Sequence, residues 1–309
     1  VVIELYHRRL ESKDMDITVT SSVLVPSATP PPHHVLWVSN IDVCFRIHGL
    51  TAYIYRPVID SDMQTVCQGL REALSKGALF LEAFTELKID DLEDMGSRPS
   101  ELQSLLPTVS YSEDISALPL LILKVTMFKC VGIGLGVGIS HIVCDGLSAI
   151  NFINTWCDIA RGLDVNVGDL HIDRTLLRAR SPPQPTFAHQ ELWLQSPPLL
   201  IHKLEREGGD VSFVMFRVSK GQLISLKAIE ADNPIKRIYT TFVSLSAHVW
   251  KCYCIARGFS KTQEVILHTP VDGRRQLHTP RGYLGNVVFP ADVRAVSGDI
   301  MSKPIWYIF

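Results

Sequence analysis

The amino-acid sequence predicts a mixed α/β protein, of the α+β kind in the broad sense, with two domains. Runs rich in β-branched residues and glycine alternate with segments whose apolar residues recur at helical spacing. A stretch with five prolines, residues 181–200, separates two halves of this kind. The chain of 309 residues is 46% hydrophobic, so each half is long enough to bury a core.

Charge and cysteine content narrow the class of partner and the compartment. The formal net charge is -2 with both signs interspersed, which favours a small-molecule partner over nucleic acid or a membrane surface. Seven cysteines without paired spacing favour a reducing compartment, so we expect a cytoplasmic protein. Lys124 and Lys129 interrupt the apolar run 119–139, which argues against a membrane span. The first residues also lack the layout of a secretion signal.

The first half contains a predicted helix and two predicted strands. The segment 62–77 follows a proline-rich lead-in at 28–34, and we interpret it as a helix capped by Ser61 or Asp62 and ended by Gly77. The run 119–140 is too β-branched and too rich in glycine for a helix, so it predicts two buried strands. Glycine alternates with larger residues at 132–139. One face of the second strand is therefore bare, and we expect another segment to pack closely against it.

A second helix is predicted directly after these strands, from Leu147 to Ala160. Arg161 and Gly162 suit its carboxyl end, because a cation is favourable there and glycine readily adopts the left-handed cap conformation. The apolar stripe of this helix is predicted to comprise Ile150, Ile153, Trp156 or Cys157, and Ala160.

The second half begins after a crossover segment. We place the end of the first domain at 180, the crossover at 181–205 and the second domain at 206–309. Within the second domain, 210–219 alternates as a strand, and 220–231 and 240–258 have helical spacing. The segments 264–275 and 282–290 are predicted to be strands joined by a turn-rich link.

A histidine and an aspartate lie four positions apart where the glycine-rich strand meets the second predicted helix. His141 would end the strand, and Gly146 would permit a sharp turn into the helix, so the histidine can project into a cleft at the carboxyl end of the strand. Histidine is the usual side chain for taking a proton from a hydroxyl near neutral pH. The alternative is a hydrogen-bonded histidine of the core. The sequence also holds a second pair of this spacing, His268 and Asp272.

Other chemistries for this region have weaker support. Cys144 is a conceivable nucleophile, although a cysteine in a buried segment is more often inert. Zinc and a dinucleotide are both poor fits, because the cysteines lack paired ligand spacing and the glycines of GIGLGVG alternate within a strand. The residues considered as zinc ligands were His141, Cys144, Cys252 and Cys254. We predict that they form no metal site.

Several stretches identify a family. HIVCDG (141–146) has the form H-x-x-x-D-G, and five longer stretches are more specific: LWVSNIDV, AYIYRP, IDRTLLRARSPPQPTF, LSAHVWKCYCIARG and VDGRRQLHTPRGYLGNVVFP. In these stretches the chain resembles the plant BAHD acyltransferases, and among them the shikimate or quinate hydroxycinnamoyltransferases. The resemblance implies a two-domain CoA-dependent fold of the chloramphenicol acetyltransferase kind, with an incomplete second domain. It places the first domain at 15–180 and leaves residues 1–14 as an extension outside the family. It also implies a monomer without a permanently bound cofactor, with acyl-CoA as the donor substrate.

The resemblance assigns roles to the motif residues. His141 would be the general base that deprotonates the acceptor hydroxyl. Asp145 would be structural and would pair with Arg274. The donor CoA would contact Thr241, Phe242, Val243, Ser244, Gly273, Arg274, Arg275, Gln276 and Leu277. The acceptor, shikimate or quinate, would contact His48, Thr51 and Tyr53.

Some of the family's sequence motifs are absent. The D-F-G-W-G motif does not occur, and neither does the Y-P-x-A-G-R-L segment expected near residue 76. Three readings follow. The chain is a hydroxycinnamoyl-CoA transferase, or it is a truncated and inactive relative that binds only CoA esters or partners, or it is a condensation-type acyltransferase that acts on carrier proteins. The stretches YLGNVVFP and LWVSNID speak against the third reading.

Overall fold

The computed structural model places two compact units along the chain. The first comprises 1–186, 203–215 and 273–288, and the second comprises 187–202, 216–272 and 289–309. The segment 273–288 thus belongs to the first unit, although it lies within the predicted second domain. The residues that the structure describes are 3–5, 15–25, 37–44, 46–56, 68, 70, 78–92, 99–111, 118–165, 170–184, 186, 212–214, 216, 218–231 and 239–304.

The first unit is built on a five-stranded sheet with the order β2-β4-β5-β6-β3. Only β4 and β5 pair in parallel, and the other neighbours are antiparallel. A short pair, β1 with β7, lies apart from this sheet. The strands are β1 (Ile3–Leu5), β2 (Thr18–Val25), β3 (His48–Tyr55), β4 (Ala78–Thr85), β5 (Leu121–Phe128), β6 (Ile133–Ser140) and β7 (Ser212–Val214). The helices are α1 (Asn40–Val43), α2 (Pro99–Ser104) and α3 (Gly146–Ala160), with 3-10 turns at Ile89–Leu92 and Arg174–Leu177.

Strand β6 is buried along its whole length because both faces of the sheet are covered. On one face, Leu135 and Val137 share a core cluster with Ile153 and Trp156 of α3. The prediction of two buried strands at 119–140 is therefore confirmed.

The bare glycine face of β6 is covered by the segment that follows α2. A Cβ added to Gly136 would lie 2.1 Å from the carbonyl oxygen of Leu105. On the neighbouring strand, Lys124 pairs with Gly136 and donates from Nζ to the carbonyl of Ser104 at 2.7 Å. The close packing expected against the glycines is thus present, because backbone approaches backbone only where side chains are missing.

The predicted helix at Leu147–Ala160 is confirmed, with one correction to its apolar face. α3 begins one residue earlier, Arg161 caps it and Gly162 has the left-handed φ of +72°. Ile150, however, is 52% exposed. The core instead takes Phe152 and Ile153 with Trp156, because the buried stripe is rotated toward the 149, 152, 153 and 156 positions.

The second unit contains three helices and a two-stranded sheet among its described residues. They are α4 (Lys220–Ala231), α5 (Thr241–Ala256), β8 (Glu264–Asp272), β9 (Val288–Val296) and α6 (Ser297–Ser302). Trp250 and Cys254 of α5 pack with Val265 and Ile300 in its core. The two helices predicted at 220–231 and 240–258 are therefore confirmed, and Gly258 ends the second with a φ of +61°.

The strand predicted at 282–290 is wrong in its bounds. β9 begins only at Val288, and the residues before it form a loop. The backbone of this loop binds the side chains of Asp145 and Ser148, so it does not pair as a strand. Of the helix predicted at 62–77, most residues, including Asp62 and Gly77, lie outside the described part of the chain, as does the proline-rich lead-in at 28–34.

Candidate active site

The predicted motif, residues 141–146, comprises the loop that joins β6 to α3 and Gly146, the first residue of the helix. The backbone N–H of His141 donates to the carbonyl of Ile47 at 2.8 Å, which continues the pairing of β6 with the β3 side of the sheet. The His141 side chain is half-buried. Gly146 has no left-handed φ, and a Cβ there would meet no atom within 4 Å. The turn into the helix therefore does not depend on glycine at position 146.

Asp145 caps α3 and binds Arg274. Its side chain accepts from the backbone N–H of Ser148 at 3.0 Å, which satisfies a free donor of the first helical turn. The Arg274 guanidinium donates from Nη1 to Oδ2 at 2.8 Å and from Nη2 to Oδ1 at 2.9 Å. The backbone N–H of Val287 donates to Oδ2 at 3.0 Å. The carboxylate thus ties together α3, the loop at 273–277 and the loop before β9.

The environment of Asp145 favours its charged form. Burial by itself would raise the pKa, since only 1% of the residue is exposed. The hydrogen bonds from Arg274, Val287 and Ser148 outweigh that effect and hold the pKa of Asp145 below its ordinary value. A two-pronged pair between a guanidinium and a carboxylate has a fixed geometry, so it orients the loop as well as neutralising the charge.

Ser148 joins the same network from the first turn of α3. Its Oγ accepts from Arg274 Nη2 at 2.8 Å and lies 3.1 Å from the carbonyl of Gly285, to which it donates. Arg274 Nη2 donates to that carbonyl as well, at 3.1 Å. Ser148 was not predicted to be functional, although its position three residues after a helix-capping aspartate marks it as a member of the first turn.

Three successive carbonyl groups of the loop accept hydrogen bonds from other buried side chains. Asn286 Nδ2 donates to the carbonyl of His141 at 2.6 Å. Arg174 donates from Nη1 to the carbonyl of Ile142 at 3.1 Å and from Nη2 to that of Val143 at 2.5 Å. The amino end of the loop is therefore held by its backbone, whereas the carboxyl end is held by the side chain of Asp145.

Asp42 connects these two donors. Its Oδ1 accepts from the backbone N–H and from Nδ2 of Asn286, at 3.2 and 2.9 Å. Its Oδ2 accepts from the backbone N–H and Oγ of Ser39, at 2.7 and 2.8 Å, and lies 3.8 Å from Arg174 Nη1. None of these three side chains was predicted to be functional. Only the S-x-x-D capping pattern at Ser39 and Asp42 could be read from the sequence.

The structure places His48, which the resemblance assigns to the acceptor, in the interior of the first unit. This residue is only 6% exposed, its Nε2 lies 2.7 Å from the carbonyl of Pro119, and its ring packs against that of Tyr111. Thr51 and Tyr53 also lie on β3, where they are exposed and half-buried. Because side chains alternate along a strand, His48 projects to the opposite face from Thr51 and Tyr53. The predicted acceptor set is thus split between two faces.

The residues predicted to contact CoA fall into two groups. The first group forms a turn of the first unit and comprises Gly273, Arg274, Arg275, Gln276 and Leu277. In this turn the N–H of Gly273 donates to the carbonyl of Val287 at 2.8 Å and that of Leu277 donates to the carbonyl of Gly273 at 2.9 Å. The side chains of Arg275, Gln276 and Leu277 are exposed. The second group opens α5 in the second unit and comprises Thr241, Phe242, Val243 and Ser244. Ser244 is fully buried, and Phe242 is 58% exposed.

The structure also locates the other residues considered for chemistry. Burial, with a smaller contribution from the Asp145 charge, raises the pKa of Cys144 to about 12, so its thiol stays protonated at neutral pH. His268 lies on β8 and pairs with Asp292 of β9, 2.5 Å away, rather than with Asp272. Among the described residues no three His, Cys, Asp or Glu side chains are grouped to hold a metal ion. Within the same part of the chain, none of the helices has the length and apolarity that a membrane span requires.

Comparison with known proteins places these residues in a family. The sequence matches the Transferase family over residues 75–309, which include the motif 141–146 and its partners Arg174, Arg274 and Asn286. The chain belongs to this family, the BAHD acyltransferases. It is 39% identical to a shikimate O-hydroxycinnamoyltransferase of Nicotiana tabacum over 95% of this chain and 74% of the relative. The BAHD resemblance noted in the sequence is confirmed, and the chain is an acyltransferase by its family.

Solved structures confirm the fold. Vinorine synthase superimposes with a TM-score of 0.69 at 18% identity, covering 94% of this chain and 74% of that protein. F. graminearum TRI101, in a complex with coenzyme A and T-2 mycotoxin, superimposes with a TM-score of 0.65 at 12% identity over 87% of this chain and 71% of that protein. The predicted acyltransferase fold of the BAHD kind is thus confirmed at the level of architecture.

Proposed function

We propose that this BAHD acyltransferase transfers a hydroxycinnamoyl group from a CoA thioester to a hydroxyl of shikimate or quinate. Support for the donor and acceptor comes from the relative named a shikimate O-hydroxycinnamoyltransferase, which aligns over 95% of this chain. Support for CoA as the carrier comes from the fold, which is shared with a protein solved in complex with coenzyme A.

The observation that carries the proposal is the pair of hydrogen bonds between Arg274 and Asp145, four residues after a half-buried His141. An imidazole that acts as a base must be presented at a fixed angle and remain reachable by the substrate. The motif 141–146 meets the first condition through the Asp145 carboxylate, and the partial exposure of His141 meets the second.

The reaction then proceeds in one transfer without an acyl-enzyme. The His141 imidazole takes the proton of the acceptor hydroxyl while the hydroxyl oxygen attacks the thioester carbonyl. The tetrahedral intermediate collapses by breaking the carbon–sulfur bond, and the CoA sulfur leaves and receives the proton from the imidazolium. A base of this kind contributes roughly 10² to 10⁴ in rate. The protonated thiol of Cys144 takes no part in these steps.

The turn at 273–277 is the proposed site for the phosphates of CoA. Arg275 is exposed there, one residue after Arg274, whose guanidinium is engaged by Asp145. A cation with five N–H donors suits phosphate oxygens. The CoA contact that the resemblance assigns to the opening turn of α5 stays a separate prediction, and there the N–H of Val243 is already bound to Thr240 Oγ1 at 3.2 Å.

Product analysis tests the proposal. The purified chain is incubated with p-coumaroyl-CoA and, separately, with shikimate, quinate or an aromatic amine, and products are identified by mass spectrometry. We expect an ester with shikimate or quinate. Formation of an amide alone would show that the acceptor is an amine and not shikimate or quinate. Thermal stabilisation by CoA without any product would instead support the inactive, CoA-binding reading.

We also propose that the protein is a cytoplasmic monomer. The described cysteines Cys44, Cys130, Cys144, Cys157, Cys252 and Cys254 are all free thiols, which suits a reducing compartment. Light scattering coupled to size-exclusion chromatography would test the oligomeric state. A fluorescent fusion expressed in plant cells would test the compartment. A dimeric mass, or fluorescence confined to an organelle, would contradict them.

A further inference from the structure

The buried cluster of Asp42, Arg174 and Asn286 has no part in the proposed proton transfer, yet Asn286 Nδ2 and both Nη atoms of Arg174 donate to the loop that carries His141. We propose that this cluster is a positioning device that fixes the main chain of the catalytic histidine in addition to the Asp145–Arg274 pair. The inference deepens the proposed function and rests on it.

The contacts at His141 support this role most directly. Its N–H is bound to the carbonyl of Ile47 at 2.8 Å, and its carbonyl accepts from Asn286 Nδ2 at 2.6 Å. Both peptide groups that flank the imidazole are therefore fixed. Only the side-chain torsions remain to be set, so the direction in which the ring leaves the backbone is determined before any substrate binds.

Arg174 extends the constraint along the loop. One guanidinium group donates to two successive carbonyls, those of Ile142 and Val143. Two parallel N–H groups at fixed separation dictate the relative orientation of two peptide planes, which a single donor does not. The loop is thus held from residue 141 to 143 by this cluster and at residue 145 by Arg274.

The burial of this charged cluster favours a geometric role over a purely stabilising one. Asp42 and Asn286 are completely buried, and Arg174 is 3% exposed. Burying a charged pair is costly, and well-packed apolar side chains of similar size often stabilise a fold as well or better. Asp42 makes Arg174 tolerable in this position and fixes Asn286 through two hydrogen bonds. The directional donors are what an apolar core would lack.

The test uses a variant that keeps the buried charge. In Arg174→Lys the ammonium can still face Asp42, but it cannot span two carbonyls as a fork, so the protein is expected to fold. The matched control is Arg161→Lys, an exposed arginine at the end of α3 that pairs with Asp158. Three quantities are compared: kcat and KM for p-coumaroyl-CoA, hydrogen exchange of the peptide covering 136–148, and the His141 ring signal in NMR spectra of protein labelled at histidine carbon.

We expect Arg174→Lys to lower kcat by about 10²-fold, the order expected for a displacement near 1 Å, with KM unchanged. Exchange of the 136–148 peptide should accelerate and the His141 signal should move, while Arg161→Lys changes none of these. A purely structural residue would lower the melting temperature without altering kcat per folded molecule. Wild-type kcat, or an unmoved His141 signal, in Arg174→Lys would overturn the inference. If the wild-type chain forms no ester at all, the proposed function fails and the His141 signal alone decides the positioning role.

Discussion

Asp145 and Arg274 are separated by 129 residues and are joined by two hydrogen bonds of 2.8 and 2.9 Å. This pair attaches the loop before α3 to the turn at 273–277. The pair thereby connects the loop that carries the proposed base, His141, with the turn proposed to bind phosphate. A change in the pair should therefore affect the stability of the first unit and the geometry of its active site together.

Asp145→Asn should reduce the free energy of unfolding by about 3 kcal/mol. The amide keeps the shape of the side chain but leaves the Arg274 guanidinium, which is 14% exposed, without its charged partner. Urea denaturation followed by circular dichroism gives this difference. The control Asp158→Asn breaks an exposed pair with Arg161 on the same helix and should change stability by less than about 1 kcal/mol. Equal effects of the two substitutions would contradict the account.

The stabilisation by Asp145 should depend on pH in a defined direction. Its pKa in the folded protein lies below the ordinary value of 3.8, so its contribution is complete above that value. It is then lost as the pH falls through the lower pKa of the folded state. The stability difference between wild type and Asp145→Asn should be constant from about pH 7 to 5 and shrink below about pH 4. Shrinkage already near pH 6, or none at the acid limit of folding, would show that Asp145 is not the ionised, paired group described.

The bare face of β6 allows a matched test with two glycines on neighbouring strands. A Cβ at position 136 would lie 2.1 Å from the backbone oxygen of Leu105, whereas a Cβ at position 49 has its nearest neighbour at 3.9 Å. Gly136→Ala should therefore destabilise the protein by about 1 to 3 kcal/mol, because a backbone segment must move. Gly49→Ala should be neutral or slightly stabilising. A thermal unfolding series in which both variants behave alike would contradict the packing described.

Much of the local structure could be predicted from the sequence because its signals are local. The period of apolar residues and the Arg-Gly endings located α3 and α5, and glycine alternation showed that a segment covers β6. The parity of positions along β3 also shows that the residues predicted to contact the acceptor do not share one face of the strand. His48 and Thr51 are three residues apart and so lie on opposite faces of the strand.

The buried polar cluster could not be predicted in this way. Asp42, Arg174 and Asn286 lie far apart in the chain, at 42, 174 and 286, and each is unremarkable among its neighbours. These three residues meet because α1, the 3-10 turn at Arg174 and the loop before β9 all pack around the loop that carries His141. The pairing of Asp145 with Arg274 was accessible only through the family resemblance, for the same reason.

Cys144 should be chemically inert although it lies within the motif. With its pKa raised to about 12, the thiol has almost no thiolate at pH 8 and is buried. Iodoacetamide labelling followed by peptide mass spectrometry should modify the exposed Cys44 and Cys252 well before Cys144. Cys144→Ala should retain acyl transfer within a few-fold. Rapid labelling of Cys144, or loss of activity in Cys144→Ala, would indicate a thiol nucleophile.

The central claim is that His141 is the base, and the rate of ester formation by His141→Asn tests it most directly. Asparagine fits the half-buried site without a titratable nitrogen, so the melting temperature should stay within about 2 °C of the wild type. The initial rate with p-coumaroyl-CoA and shikimate should fall by roughly 10² to 10⁴. An undiminished rate from a folded His141→Asn protein would contradict the account.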